Sequence, residues 1–247
     1  MKMFKADLHI HTCLSPCGDL DMSPRNIVHQ AIENGLDMIA ITDHNSTRNV
    51  KTCLELAENT NLFVIPGCEM TSEEEVHCLG YFPDINSLDV FQNYLDAHLA
   101  DIENNPEKFG FQVAVDKFDT INYEESRLLV AALKQPLEAI AEQVIKLGGI
   151  FVPAHIDKSK NSVISQLGFL PYGLNYNALE LSPNTCLSTY KSIRPELASH
   201  FFIQSSDAHY LNDIAKVHTK FYMENLDWEN FADSFCEDSK NYFELNG

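Results

Sequence analysis

Positive charge is what this 247-residue chain has least of. Its 17 Lys and Arg stand against 36 Asp and Glu, a formal charge of −19. Such a surface repels polyanions and disfavours tight, salt-dependent binding to long nucleic acid, so a phosphorylated ligand has to be met locally. No apolar run is long enough to span a bilayer. The opening Met1-Lys2-Met3-Phe4-Lys5-Ala6 lacks the apolar core and cleavage site of a signal peptide, so a cytoplasmic protein starting near Met1, with no membrane partner, is expected. The seven cysteines, Cys13, Cys17, Cys53, Cys68, Cys78, Cys186 and Cys236, are odd in number and contain no C-x-x-C pair. That argues against a disulfide framework and makes most of them small core residues. Neither G-x-x-x-x-G-K-[ST] nor G-x-G-x-x-G occurs, which leaves nucleotide binding by those loops unsupported, and without G-x-S-x-G a serine nucleophile is equally unsupported.

What is present is histidine and acid at the ends of short apolar runs. In Ala6-Asp7-Leu8-His9-Ile10-His11-Thr12 the two histidines lie two apart on a β-branched background, so strand geometry points both imidazoles to one face. The pattern recurs in Ile39-Ala40-Ile41-Thr42-Asp43-His44, Val64-Ile65-Pro66-Gly67-Cys68-Glu69, Ile150-Phe151-Val152-Pro153-Ala154-His155 and Phe202-Ile203-Gln204-Ser205-Ser206-Asp207-Ala208-His209. Packing does not explain strands that end this way; a metal cluster at the C-terminal mouth of a parallel barrel does. The elements alternate as an α/β fold requires. Strands are expected at 37–42, 62–69, 76–82, 178–181, 201–204 and 220–223, with another ending at His155. Helices are expected at 46–59, 86–102 and 137–147, and one opens at Ser23-Pro24 and closes near Asn34-Gly35. Residues 103–135 break the rhythm and read as an insertion, a lid over the mouth, with a short helix near 125–133. The whole of 1–247 reads as one domain.

The ordered motifs D-L-H-I-H-T, T-D-H-N, G-C-E-M-T, P-A-H-I-D and S-S-D-A-H, spanning Asp7 to His209, resemble those of the PHP (polymerase and histidinol phosphatase) superfamily. The resemblance implies a distorted (β/α)7, TIM-like barrel holding two or three divalent metals, Zn2+, Mn2+ or Fe2+, for phosphoester hydrolysis. His9 and His11 are assigned to one metal and His44 to a second, with Glu69 as the bridging carboxylate. His77, His155, Asp207 and His209 complete the ligands. Many relatives carry an Asp or His on the loop after H-x-H; this chain offers Asp19, preferred as the harder ligand, or Cys17. Degenerate family modules lose motif residues, whereas here each motif keeps its His or acid. Amidohydrolase barrels share the H-x-H, but G-C-E-M-T and S-S-D-A-H fit PHP better.

Asp7 is read as the acceptor that orients an imidazole, and Asp43 as orienting or closing the site. Asp157, two residues after His155, points to the same side. The leaving-group acid is then Asp43, Asp157 or a water, and Lys158 is the point charge for a phosphate. Arg25, Lys160 and Arg194 read as surface charges, Glu73-Glu74-Glu75 as a solvated run, and His29, His98, His200 and His218 as packing or surface residues, of which only His98 could be carried toward the mouth. The expected substrate is a small phosphomonoester or a mononucleotide. A short oligonucleotide cleaved from its end is the runner-up.

Overall fold

β1 (Lys2–Ile10) opens the chain in the computed structural model, which describes residues 1–245. α1 (Pro24–Glu33), β2 (Met38–Ile41), α2 (Val50–Ala57), β3 (Phe63–Thr71), β4 (His77–Tyr81) and α3 (Ile85–His98) follow. Next come α4 (Pro106–Phe109), a small hairpin of β5 (Val113–Val115) and β6 (Ile121–Glu124), α5 (Leu137–Lys146) and β7 (Ile150–Pro153). The chain continues through α6 (Val163–Leu167), β8 (Leu179–Leu181), α7 (Leu187–Ile193), β9 (Phe202–Gln204), β10 (Thr219–Met223), α8 (Trp228–Asp233) and β11 (Tyr242–Leu245).

The main sheet has the order β11-β10-β1-β2-β3-β4-β7, and β8 pairs with β9 in parallel. Hydrogen bonds from Asn177 N–H to Phe151 O and Ile156 N–H to Glu180 O join β7 to β8. Those from His11 N–H to Ala208 O and Ala208 N–H to His9 O join the end of β9 to β1. The pair β8-β9 thus closes a distorted barrel, β1-β2-β3-β4-β7-β8-β9, with β10 and β11 as an antiparallel flap on the lower half of β1. Among the described residues, no helix is long and apolar enough to cross a membrane.

The barrel is not wholly parallel. β4 runs antiparallel to both β3 and β7, because the chain returns from β3 in the tight turn 72–76, closed by Ser72 N–H on Val76 O. A parallel partner needs a crossover of a dozen residues or more. The reversal puts the first residue of β4, His77, at the mouth where the other strands end. Glu73, Glu74 and Glu75 form the turn itself.

Alternation along the strands sorts two cores. Leu8, Ala40, Ile65, Leu79, Tyr81, Val152 and Ile203 point into the barrel, while Ile10, Ile41, Val64, Cys68, Cys78 and Phe151 face the helices. On β1 the register with β2 slips between Asp7 and Ile10. This bulge lets His9 follow Leu8 onto the inner face and sends Ile10 outward. The bottom is plugged by aromatic side chains: the Phe231 ring lies 5.3 Å from Phe221, 5.3 Å from Phe235 and 6.0 Å from Tyr81.

α1 begins as its sequence requires, with Ser23 Oγ accepting from Asn26 N–H and Pro24 at the first position. α2 starts at Val50 rather than near 46, because Asn45 takes φ 45° and the Thr47 N–H and hydroxyl both donate to Gln92 Oε1. No helix forms at 125–133: Leu129 N–H donates to Gln112 Oε1, and Asn45 Nδ2 donates to Leu129 O and Ala131 O. Side chains have taken the backbone groups a helix would use. Of the cysteines, Cys13, Cys53, Cys68 and Cys78 are buried and Cys17, Cys186 and Cys236 exposed, all as free thiols.

Phe231→Ala should remove about 3–5 kcal/mol of stability by opening a cavity in the plug. Chemical denaturation measures the loss. Metal content should stay unchanged, because the mouth lies at the other end of the barrel.

Candidate metal centre

The inner-face alternation that makes the apolar floor also makes the mouth. One layer above the floor, β1 presents His9 and the residue just past its end, His11, the loop after β2 presents His44, β3 presents Glu69 and β4 His77. The loop after β7 presents His155, β8 Glu180, and the loop after β9 Asp207 and His209. Backbone strain marks two of these, with φ 28° at His155 and 52° at Asp207. Non-glycine residues rarely hold such angles, and they cluster at functional sites.

Glu69 lies at the middle. Its Oε1 is 3.1 Å from both His77 Nδ1 and His155 Nε2, and its Oε2 is 3.0 Å from His44 Nδ1, 3.3 Å from His11 Nε2 and 3.4 Å from His9 Nε2. Asp207 Oδ1 lies 3.4 Å from the same two Nε2 atoms of His9 and His11, which are themselves 3.1 Å apart. A tetrahedral ion with donors about 2.0–2.1 Å away spaces them about 3.3–3.4 Å from one another. The four contacts of the Glu69 and Asp207 oxygens with the His9 and His11 nitrogens have that spacing.

The tautomers agree. Glu180 lies 3.0 Å from His9 Nδ1, so His9 donates there and, once an ion displaces the second proton of the ring, its Nε2 carries a lone pair. Ser15 Oγ donates to Asp43 Oδ1, so it accepts from His11 Nδ1 at 2.9 Å, and His11 Nε2 is bare as well. His44 Nδ1, fully buried, has no hydrogen-bond partner although a carboxylate oxygen stands 3.0 Å away. Acceptors aimed at one another fit a cation between them. Three overlapping sets have donor atoms within 4.8 Å of each other: His9, His11 and Glu69; His44, Glu69 and His77; and His11, Cys17, His44 and His209.

Electrostatics in the metal-free chain follow from burial and crowding. Burial works against charge on His9, but the carboxylates of Glu180, Asp207 and Glu69 overcome it and hold the imidazolium well above the usual histidine range. Burial, with His11, His77 and His209 nearby, pushes His44 well below it. His209 falls to about 4 through burial and the proximity of His11. Glu69 stays ionised far below the carboxylate range despite its burial, because His77, His9 and His44 surround it.

Several residues singled out in the sequence lie elsewhere. Asp19 is exposed and its carboxylate accepts from Asp21 N–H, so Cys17, not Asp19, reaches the cluster. Asp7 orients no imidazole; it accepts from Ser206 N–H and Ala215 N–H, and burial raises it to about 6. Asp43 is buried beneath the site, accepting from Thr12 N–H, Thr12 Oγ1 and Ser15 Oγ, so it acts on His11 through Ser15 and cannot reach a leaving group. Asp157 faces away: Ser182 and Thr185 donate to it and keep it ionised despite partial burial. Lys158 does stand at the cluster, with Nζ on Asp207 Oδ2. His98 donates to Tyr94 O at 2.7 Å, away from the mouth. The partner of His29 is Glu33 and that of His200 is Tyr176. Glu180, buried beside His9 and also accepting from His155 N–H, was missed. The signal was present: an acid between leucines in Ala178-Leu179-Glu180-Leu181 is as costly to bury unpaired as Glu69.

A strand-mouth cluster of histidines and carboxylates able to bind metal, on a barrel with one reversed strand, is matched by the PHP domain family model over residues 7–238. The chain belongs to the PHP domain family. The uncharacterized protein YqxK of Bacillus subtilis (strain 168) is 24% identical over 269 residues, covering 94% of this chain and 62% of YqxK. The 5'-3' exoribonuclease Rnm of Escherichia coli (strain K12) is 34% identical over 84 residues, 32% of this chain and 28% of Rnm. The lesion-specific endonuclease PfuEndoQ from Pyrococcus furiosus shares the fold at a TM-score of 0.71 and 17% identity, covering 98% of this chain and 58% of PfuEndoQ. This chain therefore spans less than two thirds of each.

Glu180→Gln should weaken metal binding about 10- to 100-fold with the circular dichroism spectrum unchanged, since partners behind a ligating imidazole tune its basicity. Calorimetric titration reads it; unaltered affinity would remove Glu180 from the site. A second expectation concerns pH. The raised His9 stabilises the metal-free fold fully below about pH 6.5, its unfolded value, and that contribution is lost as pH rises through the folded value. Thermal unfolding without metal should therefore show stability falling on the alkaline side, with metal-loaded protein resisting the decline.

Proposed function

We propose that this chain hydrolyses phosphoester bonds at a centre of two or three divalent ions, Zn2+, Mn2+ or Fe2+, held by His9, His11, His44, Glu69, His77, His155, Asp207 and His209. The observation that carries the reading is the division of Glu69, whose two oxygens each face a separate group of imidazoles, as a carboxylate bridging two cations would. Ions bound there supply activation of water toward phosphorus and neutralisation of charge on the phosphoryl and leaving oxygens. The protein's own contribution is positioning. Glu180 fixes the His9 ring, the Asp43 to Ser15 relay fixes His11, and Lys158 offers its ammonium to a phosphoryl oxygen from the rim. Asp43 and Asp157 are no longer candidates to protonate the leaving group, which leaves Lys158 or solvent.

The cleft is about 300 Å³, and Lys158, Lys160, Asn161 and Val130 line it beside the histidines and carboxylates. That is the lower end of small-ligand pockets, a size that suits a phosphate with a modest organic group. The acidic surface supports the same choice, so a small phosphomonoester or mononucleotide is the favoured substrate. Residues 103–135 act in this reading as a cover that limits the leaving group, through Val130 and the backbone pinned by Asn45. A second reading, cleavage of a short nucleic acid from its end, is favoured by the names of the Rnm and PfuEndoQ relatives.

One experiment separates them: kcat/KM for sugar phosphates, mononucleotides and short single strands, with Mn2+ or Zn2+ supplied. Small substrates should lead, with a weak salt dependence, and Lys158→Ala should raise KM about tenfold or more. Oligonucleotides turned over at least about tenfold better than any small ester would establish the second reading instead, and no turnover by metal-loaded protein would end both.

A further inference from the structure

We infer that Cys17 is itself a metal ligand, and that its thiolate with His44 and His209 forms a soft subsite selecting Zn2+ or Fe2+ over Mg2+ and Mn2+. Cys17 Sγ lies 3.1 Å from His209 Nε2, and donor atoms of Cys17, His44, His209 and the neighbouring His11 fall within 4.8 Å of one another. A tetrahedral zinc ion with sulfur about 2.3 Å and nitrogen about 2.0–2.1 Å away sets them about 3.6 Å apart. The observed pair needs a shift of about half an ångström.

The nitrogens are prepared for it. Asp207 O accepts from His209 Nδ1 at 2.8 Å, so His209 Nε2 presents its lone pair toward the sulfur. His44 offers the independent observation: it is buried, aimed into the cluster, and its Nδ1 has no hydrogen-bond partner. The loop is fixed in place to present the thiol. Asp19 N–H donates to His209 O at 3.0 Å, and at Gly18 a Cβ would lie 2.4 Å from Thr12 O, so no side chain fits the turn. Thiolate and imidazole together suit zinc or iron, whereas Mg2+ and Mn2+ favour carboxylate and water. The remaining cysteines lie in the apolar core or, as Cys186 and Cys236, outside the cluster.

This inference rests on the metal-centre reading, and the test distinguishes the two. Metal-free chain is titrated with Co2+, a zinc surrogate whose bond to thiolate gives a near-ultraviolet charge-transfer band. Wild type should show the band, Cys17→Ser should lose it while still binding cobalt at the other subsites, and Cys17→Asp should recover the lost equivalent without it. The preference for Zn2+ over Mn2+ should fall about tenfold in Cys17→Asp. Alkylation of Cys17 by iodoacetamide, mapped by peptide mass spectrometry, should be about tenfold slower with Zn2+ bound. Cobalt bound to wild type with no sulfur band, or a band surviving in Cys17→Ser, overturns the assignment while leaving the metal centre standing. A chain that binds no cobalt overturns both.

Discussion

A carboxylate that is almost wholly buried and ionised has to be surrounded by positive charge, and the mouth of this barrel is arranged around that requirement at Glu69. An unpaired charge in so dry a place would cost several kcal/mol. Imidazoles from two separate strands and two loops converge on its oxygens. Two of the imidazoles are oriented in turn by a group behind them, Glu180 for His9 and Ser15 for His11. The floor of Leu8, Ile65, Leu79 and Val152 beneath keeps water from relieving the charge from below.

Two irregularities make this convergence geometrically feasible. The bulge in β1 carries His9 to the inner face, and the reversal of β4 carries His77 to the mouth. A regular parallel barrel would leave His77 at the opposite end from Glu69. The strained backbones of His155 and Asp207 do the same work in the loops, turning side chains inward where alternation alone would not.

Much of this could be read in the sequence, because the relevant information is local. Apolar runs ending in His or acid fix both the strands and the face their last side chains occupy, which is why His9, His11, His44, Glu69 and Asp207 are legible. The reversal of β4 was legible too, in the few residues between Thr71 and His77, yet the reading kept β4 among parallel strands. Asp7 and Asp157, and the leaving-group role weighed for Asp43, were misread because a buried carboxylate near a histidine in sequence can bond backbone N–H groups or hydroxyls across the barrel. Only the fold decides which. Glu180 was overlooked for the opposite reason: its strand is short and carries no histidine, so its one signal was an acid set between leucines. At 125–133 helix propensity lost to the side chains of Gln112 and Asn45, partners far off in sequence.

The seam between β1 and the end of β9 has a further consequence. There the first and last barrel strands meet through few backbone bonds, helped by Leu8 N–H on Ser205 Oγ across 197 residues of chain. His9 and His11 lie on one side of that seam, Asp207 and His209 on the other. An ion gripped by both sides would behave as a removable cross-link closing a very long loop, and such links restrict the unfolded chain as a disulfide does. The reagent of the chemistry and the clasp of the barrel would then be the same object.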